Sequence, residues 1–529
     1  MISLRRPADG LDTRLSRARA SGALLDRSFA ELAADLDELE HLAADFSDRI
    51  RMNGRVLLRQ RRHLHGDSLD LIEQHQRILI AAYDGIRRDT RELRLNTRHR
   101  QRSPELLAGL TWERAGCADR LRTLTGIAAS TITASEWQSP SFAHSVRSNA
   151  GTSTGIVRAN VDDYRRDRHQ DAAAFEAAYL AAYVDPPDGR QLRALTTSCG
   201  MSAFTTILGF LQMEGKLEGS VVLGRSVYHE CRDLVRSLVP PHRLFDVPEH
   251  PPEALCRAIA RLRPAVVFLD TVGNAPGALV PDVAGAVRSM REAASEGYLV
   301  IDNTALSCTF QTFGLVTGDG PRLVMFESLT KYAQFGLDRV TGGVIVAEGR
   351  DAEDLERYRE HLGTNIPDAS VYAIPWPNRA RLERRLERLE RNAVVLAQRL
   401  REAALEAGRG AVVGADHPAL AGHPSHSIAR GLRFRGGWLS VAFAPRHDRP
   451  EVHRRFVELA LEEARRRHVP LVAGASFGLD VTRVYPTAST AISGRPFVRI
   501  SPGIEHICAI EELARAFRDA VARLASDAP

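Results

Sequence analysis

Between about residues 190 and 350 the chain alternates short apolar runs with segments of helical periodicity, and this alternation restricts the fold more than any other feature. The runs are Ser220-Val221-Val222-Leu223, Ala265-Val266-Val267-Phe268-Leu269-Asp270, Tyr298-Leu299-Val300-Ile301, Leu323-Val324-Met325-Phe326 and Gly343-Val344-Ile345-Val346. Each is apolar throughout and too short for a helix, as a strand covered on both faces must be. Strands alternating with helices predict an α/β fold with a mostly parallel sheet. Ligands of such sheets bind beyond the carboxyl ends of the strands. Asp270, Asp302 and the Ser328-Leu329-Thr330-Lys331 segment all fall at such ends.

At 529 residues the chain exceeds one ordinary core. Residues 1–128 read as a helical N-terminal region, with Phe29, Leu32, Leu36, Leu39 and Leu42 recurring at threes and fours and Leu69, Ile72, Ile78 and Ile80 further on. Residues 129–185 read as an extended arm and linker, rich in Ser, Thr and Ala at first and with little periodicity. Residues 186–376 form the expected large domain, and residues 377–529 a smaller α+β domain. The latter opens with an Arg/Glu helix carrying Leu382, Leu386, Leu389, Leu396 and Leu400 on one side. Strands are expected at 438–443, 469–472 and 496–501, with helices at about 450–468 and 505–525.

Several classes of function are excluded by composition and pattern. No apolar run approaches the ~18 residues of a membrane span, and Met1-Ile2-Ser3-Leu4-Arg5-Arg6-Pro7 has no apolar stretch after its charges, so a cytoplasmic protein without a secretory signal is expected. The six cysteines are scattered, as free thiols in a reducing compartment would be. His423 and His426 sit in a Pro/Gly-rich turn without an acidic partner, so no metal site is expected there. The sharpest basic cluster, Arg87, Arg88, Arg91, Arg94, Arg98, Arg100 and Arg102, lacks interleaved aromatics for base stacking. It reads as a solvated or subunit-facing helix, and no nucleic-acid partner is expected.

Of 71 Lys plus Arg, only Lys216 and Lys331 are lysines. Arginine supplies surface charge but its guanidinium cannot act as an amine nucleophile, so a retained lysine is informative. Lys216 lies in the polar turn Glu214-Gly215-Lys216-Leu217-Glu218-Gly219 and reads as solvated. Lys331 follows a strand, 29 residues after the strand-ending Asp302. A pyridoxal phosphate site needs an amine for the aldehyde, a carboxylate for the pyridine nitrogen and an anion cradle for the phosphate. Lys331 and Asp302 supply the first two. Thr197-Ser198-Cys199-Gly200-Met201-Ser202, opening an apolar helix, would supply the third through backbone N–H groups and the helix dipole, and Tyr228 follows the next strand and can stack on a ring.

These residues resemble the Cys/Met-metabolism pyridoxal-phosphate enzymes, which include cystathionine γ-synthase, cystathionine γ-lyase and methionine γ-lyase. The similarity runs over about residues 160–525 and implies the fold type I architecture of aspartate aminotransferase. Val300-Ile301-Asp302-Asn303-Thr304 resembles the strand that ends in the pyridine-binding aspartate, and Ser328-Leu329-Thr330-Lys331-Tyr332 resembles the cofactor-attachment segment. Cys199-Gly200-Met201 resembles the phosphate loop. By the same resemblance Asn274 contacts the phenolic oxygen, while Tyr164 and Arg166 reach the phosphate of a neighbouring subunit. Arg499 and Ser476 hold the substrate carboxylate. The resemblance implies an amino-acid substrate, Lys331 and Tyr228 as the groups that move protons, and a homodimer or homotetramer.

The chain also departs from the family pattern. Tyr228 is followed by His229-Glu230-Cys231 instead of small residues, and Ala275 separates Asn274 from Pro276. The acid that recognises the distal ammonium of cystathionine would fall near Val481, beside Asp480. The departures and the added N-terminal region point, within the family, to acetylenase-type enzymes that expel halide from a chlorinated allylglycine to give propargylglycine. Ordinary cystathionine or methionine γ-lyase or γ-synthase activity, β-elimination, racemisation and transamination are the alternatives on this scaffold.

Overall fold

The computed structural model describes residues 22–60, 66–134 and 170–526, apart from 188, 294, 295, 317–319, 409, 489–491 and 493. Among them no helix is long and apolar enough to cross a membrane. They divide into two units, one of which holds the N-terminal helices with residues 464–470 and 505–513.

That unit is built on α1 (Gly22–Gln60), α2 (Gly66–Asn96) and α3 (Pro104–Thr133). Phe29, Leu32 and Leu36 of α1 share a core with Leu107 and Leu110 of α3. Ser103 caps α3 by accepting from the Leu106 N–H, with Pro104 at the first helical position where its missing N–H costs nothing. On α2 the buried stripe is Leu69, Ile72, Gln76, Leu79, Tyr83, Ile86 and Thr90. Ile78, counted into the apolar stripe from sequence, is instead 57% exposed, because the 3.6-residue repeat carries the stripe through Leu79. Four of the seven clustered arginines pair with acids of α1 and α2: Arg87 with Asp84, Arg91 with Glu40, Arg94 with Asp37 and Glu40, and Arg102 with Asp26.

The second unit begins with α4 (Gln170–Tyr183), a helix inside the span read from sequence as extended arm. Seven alanines give it high helix propensity, and Phe175, Tyr179 and Tyr183, four residues apart, bury a single face. The chain continues through β1 (Leu192–Thr197), α5 (Gly200–Met213), β2 (Val221–Gly224), α6 (His229–Leu238), β3 (Leu244–Val247), α7 (Pro252–Leu262), β4 (Val266–Asp270) and α8 (Val283–Glu292). Then come β5 (Tyr298–Asp302), β6 (Arg322–Ser328), β7 (Gly343–Glu348), α9 (Gly349–His361) and α10 (Asp368–Ala373). The seven strands lie in the order β1-β7-β6-β5-β4-β2-β3. Strands β3, β2, β4, β5 and β6 are mutually parallel, and β7 runs antiparallel to β6 and β1. Helix α5 packs Phe204 on Phe268 of β4 and Phe326 of β6, at ring-centroid distances of 5.8 and 5.6 Å. The register aligns Asp270 with Asp302 and Asp302 with Phe326, so β4 and β5 finish level with one another and β6 runs two residues further, to Ser328.

Helix α11 (Arg379–Glu406) follows, with Leu382, Leu386, Leu389, Leu396 and Leu400 all buried. Beyond it lie β8 (Val412–Asp416), β9 (Leu439–Phe443), α12 (Pro450–Arg466), β10 (Val472–Ala473), β11 (Arg483–Thr487), β12 (Phe497–Ser501) and α13 (Ile507–Ser526). The strands form a sheet in the order β10-β11-β12-β9-β8. The strand expected over 469–472 is reduced to Val472 and Ala473, because the Val469 N–H closes the end of α12 on the Ala464 carbonyl.

Candidate active site

A cavity of about 400 Å³ opens beyond the carboxyl ends of β2, β4, β5 and β6, where β12 and the 475–477 loop close its other side. Of the thirteen site residues expected from sequence, eleven line it. Tyr164 and Arg166, expected on an arm from a neighbouring subunit, lie outside the described residues.

One end of the cavity is the N-terminus of α5. Cys199 is its N-cap, and its Sγ accepts from the Ser202 N–H at 3.3 Å. The first-turn N–H groups at Gly200 and Met201 have no partner inside the helix, as at any helix start. A Cβ placed on Gly200 would sit 2.7 Å from the Ser328 Cβ, so glycine is required for α5 to approach the end of β6 this closely. Ser328 and Thr330 present hydroxyls 2.7 Å apart on that side. Unpartnered N–H groups and hydroxyls at a helix N-terminus are the donor set an anion needs.

At the floor, the register of β4 and β5 sets two buried carboxyls side by side. Asp302 Oδ1 accepts from the Thr304 N–H at 2.8 Å, and Asp270 Oδ2 from the Tyr228 N–H at 2.9 Å. Burial pushes the Asp302 carboxyl up, opposed by its Thr304 bonds and the Lys331 charge. Asp270 is pushed well above the carboxylate range by burial and by Asp302. Two adjacent carboxyls in a dry site do not both ionise readily, and Asp302 is the one better placed to carry the charge.

Lys331 follows β6, and its Nζ donates to Ser476 Oγ at 2.9 Å and lies 5.5 Å from the Phe477 ring centre. Burial, then repulsion from Arg499, lowers its pKa to about 8. Ser476 receives this bond from a left-handed backbone with φ of 81°, strain of the kind that persists where surrounding structure holds a functional residue in place. Lys216, in the turn after α5, does not line the cavity.

Arg499 on β12 donates from Nη1 to Asn274 Oδ1 at 2.9 Å, and its guanidinium lies 5.8 Å from the Trp438 ring centre and 5.5 Å from that of Phe477. It is only 7% exposed, and burial lowers its pKa to about 10. Among the described residues no carboxylate pairs with it. Tyr228 caps the start of α6, where burial and the neighbouring Glu230 carboxylate push its hydroxyl up while Arg499 pulls it down.

Among the lining residues outside that expected set are Asp270, Trp438 and Thr304. Asp270 was visible as a strand-ending acid, but its pairing with Asp302 needs the register. Trp438 could have been noticed as an aromatic at the head of β9, and Thr304 as the residue two beyond the strand-ending acid. Near Val481 the structure supplies no acid to the cavity: Asp480 turns away to Arg385, Nη2 to Oδ1 at 2.6 Å, and neither residue 480 nor 481 is a lining residue.

The model of the Cys/Met metabolism PLP-dependent enzymes matches residues 140–462. A curated relative, the bifunctional enzyme flvA of Aspergillus flavus, is 26% identical over 367 residues, covering 68% of this chain and 41% of that protein, so the chain spans about two fifths of that relative's length. A cystathionine gamma synthase from Xanthomonas oryzae pv. oryzae has a similar fold, with a TM-score of 0.55 at 22% identity over 69% of this chain and 89% of that one. CalE6, a methionine gamma lyase from Micromonospora echinospora, aligns with a TM-score of 0.53 at 25% identity, covering 67% of this chain and 88% of that one. The matched span takes in the large domain, the cradle and the lysine segment, which is more than half of the chain, and the protein belongs to the Cys/Met metabolism PLP-dependent enzymes.

Proposed function

We propose that the protein catalyses γ-elimination or γ-replacement on a γ-substituted L-amino acid in specialised metabolism, and in particular the loss of HCl from a chlorinated allylglycine to give propargylglycine. The observation that carries the substrate class is Arg499, a buried cation with no carboxylate partner among the described residues, set in the same cavity as an amine of depressed pKa. An α-carboxylate is the partner it lacks, and a guanidinium can receive it bidentately.

The residues present fit pyridoxal phosphate. Lys331 would hold its aldehyde carbon and Asp302 its ring nitrogen, with Asn274 at the phenolic oxygen and Tyr228 against the ring. Cys199, Gly200, Met201, Ser328 and Thr330 would hold its phosphate, joined by Tyr164 and Arg166 of a neighbouring subunit in a homodimer or homotetramer. Bound there, the cofactor supplies an electron sink for charge developing at the substrate Cα. The Lys331 Nζ, its pKa lowered by burial to about 8, takes the Cα proton in its neutral form, and Ser476 Oγ orients it. The Tyr228 hydroxyl, held protonated by burial and Glu230, is a proton source toward the γ end. Trp438 and Phe477 exclude water from the carboxylate subsite, which strengthens the Arg499 contact.

Leaving-group choice follows from the acids. Asp480 is committed to Arg385, so the distal ammonium of cystathionine would enter without a partner from this loop, at about 1 to 3 kcal/mol. Purified holoenzyme offered a panel of γ-substituted amino acids, with products identified by mass spectrometry and competition measured by kcat/KM, tests this. The chlorinated allylglycine should be preferred at least about tenfold over cystathionine, a ratio worth about 1.4 kcal/mol. Cystathionine as the best substrate would make the enzyme one of ordinary transsulfuration.

A further inference from the structure

Glu230 lies in the first turn of α6, is exposed, and lines the cavity where small residues were expected from the family pattern. The other acids of the lining, Asp270 and Asp302, are at the buried floor. Among the described residues no cation pairs with Glu230. Burial lowers the pKa of the neighbouring His229 imidazole against the pull of Glu230 and Asp233, with Arg499 acting in the same direction as burial, and its Nδ1 is buried without a hydrogen-bond partner. Of the cations in the lining, Lys331 is the group that would hold the cofactor and Arg499 the group reserved for an α-carboxylate. An amino acid seated on Arg499 therefore shares the cavity with an exposed carboxylate that no cation pairs among the described residues.

We propose that Glu230 sets the charge preference of the substrate site, rejecting amino acids whose side chain ends in an anion, such as a carboxylate, phosphate or sulfonate, in favour of those that end in a neutral group. This rests on the amino-acid-substrate assignment above and narrows it. Like charges in a partly solvated mouth repel across several ångströms, and the repulsion is screened by salt. Glu230 acts here as a specificity determinant without touching the reacting atoms.

The test compares two unreactive ligands of equal chain length, L-norleucine with a neutral end and L-2-aminoadipate with an anionic one. Their dissociation constants are measured by calorimetry on the wild-type holoenzyme, Glu230→Gln and Glu230→Lys, at low and high salt. Wild type should favour norleucine. The Gln variant should narrow the ratio about three- to tenfold at low salt and less at high salt, and the Lys variant should narrow it further. A ratio identical in all three proteins overturns the proposal. A ratio that moves as stated while no γ-substituted amino acid is turned over leaves the charge filter standing and removes the reaction assignment. Turnover of such substrates with an unmoved ratio does the reverse.

Discussion

Replacing Arg499 with methionine should weaken the enzyme and relieve the fold at once, because the guanidinium is buried for a partner that the chain itself does not supply. Its stem runs from β12 into a pocket between Trp438 and Phe477, with Asn274 as its hydrogen-bond acceptor. Burial lowers its pKa to about 10 from a normal value above 12, a cost to the folded state on the order of 3 kcal/mol. The sign is that of a base whose folded pKa is depressed: the cost is present in full below pH 10 and disappears as the pH rises from there toward the unfolded value. Methionine fills a similar volume without the charge. It leaves the Asn274 oxygen unpaired, at about 1 to 3 kcal/mol, so chemical denaturation of the apo protein at pH 7 to 9 should show stability unchanged or raised. Against that, a substrate carboxylate loses a buried charge-assisted contact worth about 2 to 5 kcal/mol, and kcat/KM should fall about 30- to several-thousand-fold. A variant within about fivefold of wild type in kcat/KM would remove Arg499 from substrate binding. A stability loss of several kcal/mol would mean that the cation is already compensated in the free enzyme.

Lys331→Ala should lose the yellow chromophore, and borohydride should fix cofactor to wild type but not to the variant; cofactor irreversibly attached to Lys331→Ala points to another amine. With the Lys331 pKa at about 8, the rate at which apo protein takes up cofactor should rise about fivefold from pH 7 to 8 and less than twofold from pH 8 to 9 as the neutral amine saturates, whereas a profile still climbing tenfold per pH unit at pH 9 would show an amine with an ordinary pKa. Asp302→Asn should keep the fold by circular dichroism but lose at least about a hundredfold in kcat, since an amide cannot balance a pyridinium charge; turnover within a fewfold of wild type would take Asp302 out of that role. Light scattering should find at least a dimer, and an active monomer would exclude a Tyr164 and Arg166 contribution from a neighbouring subunit.

Much of the large domain was legible because a strand covered on both faces has to be apolar at every position, and the runs ending at Asp270 and Asp302 met that requirement unmistakably. Lys331 was legible for a compositional reason, since arginine had replaced lysine nearly everywhere else. Helix α4 was missed because its alanines have no hydrophobic contrast to show periodicity; what marks it as a packed helix is the set of three aromatics four residues apart. Ile78 misled because an isoleucine one position off the stripe looks the same in sequence as one on it.

The charges at the site resisted the sequence for a different reason. Arg385, Arg499, Asp480 and Glu230 are each an ordinary residue in the sequence, and their roles depend on which of them has a partner. Arg385 and Asp480 satisfy one another across α11 and the loop before β11, and so withdraw from the cavity the acid expected near Val481. Arg499 and Glu230 pair with no charge among the described residues, one sealed among aromatics and the other at the rim. A buried charge without a partner is a standing cost to folding, and one that lines a binding cavity is a standing demand on the ligand. On the proposed assignment, Arg499 requires a carboxylate where the amino acid is anchored, and Glu230 disfavours a second one where the side chain ends. A neutral γ-substituent meets both conditions, whereas an anionic one meets only the first.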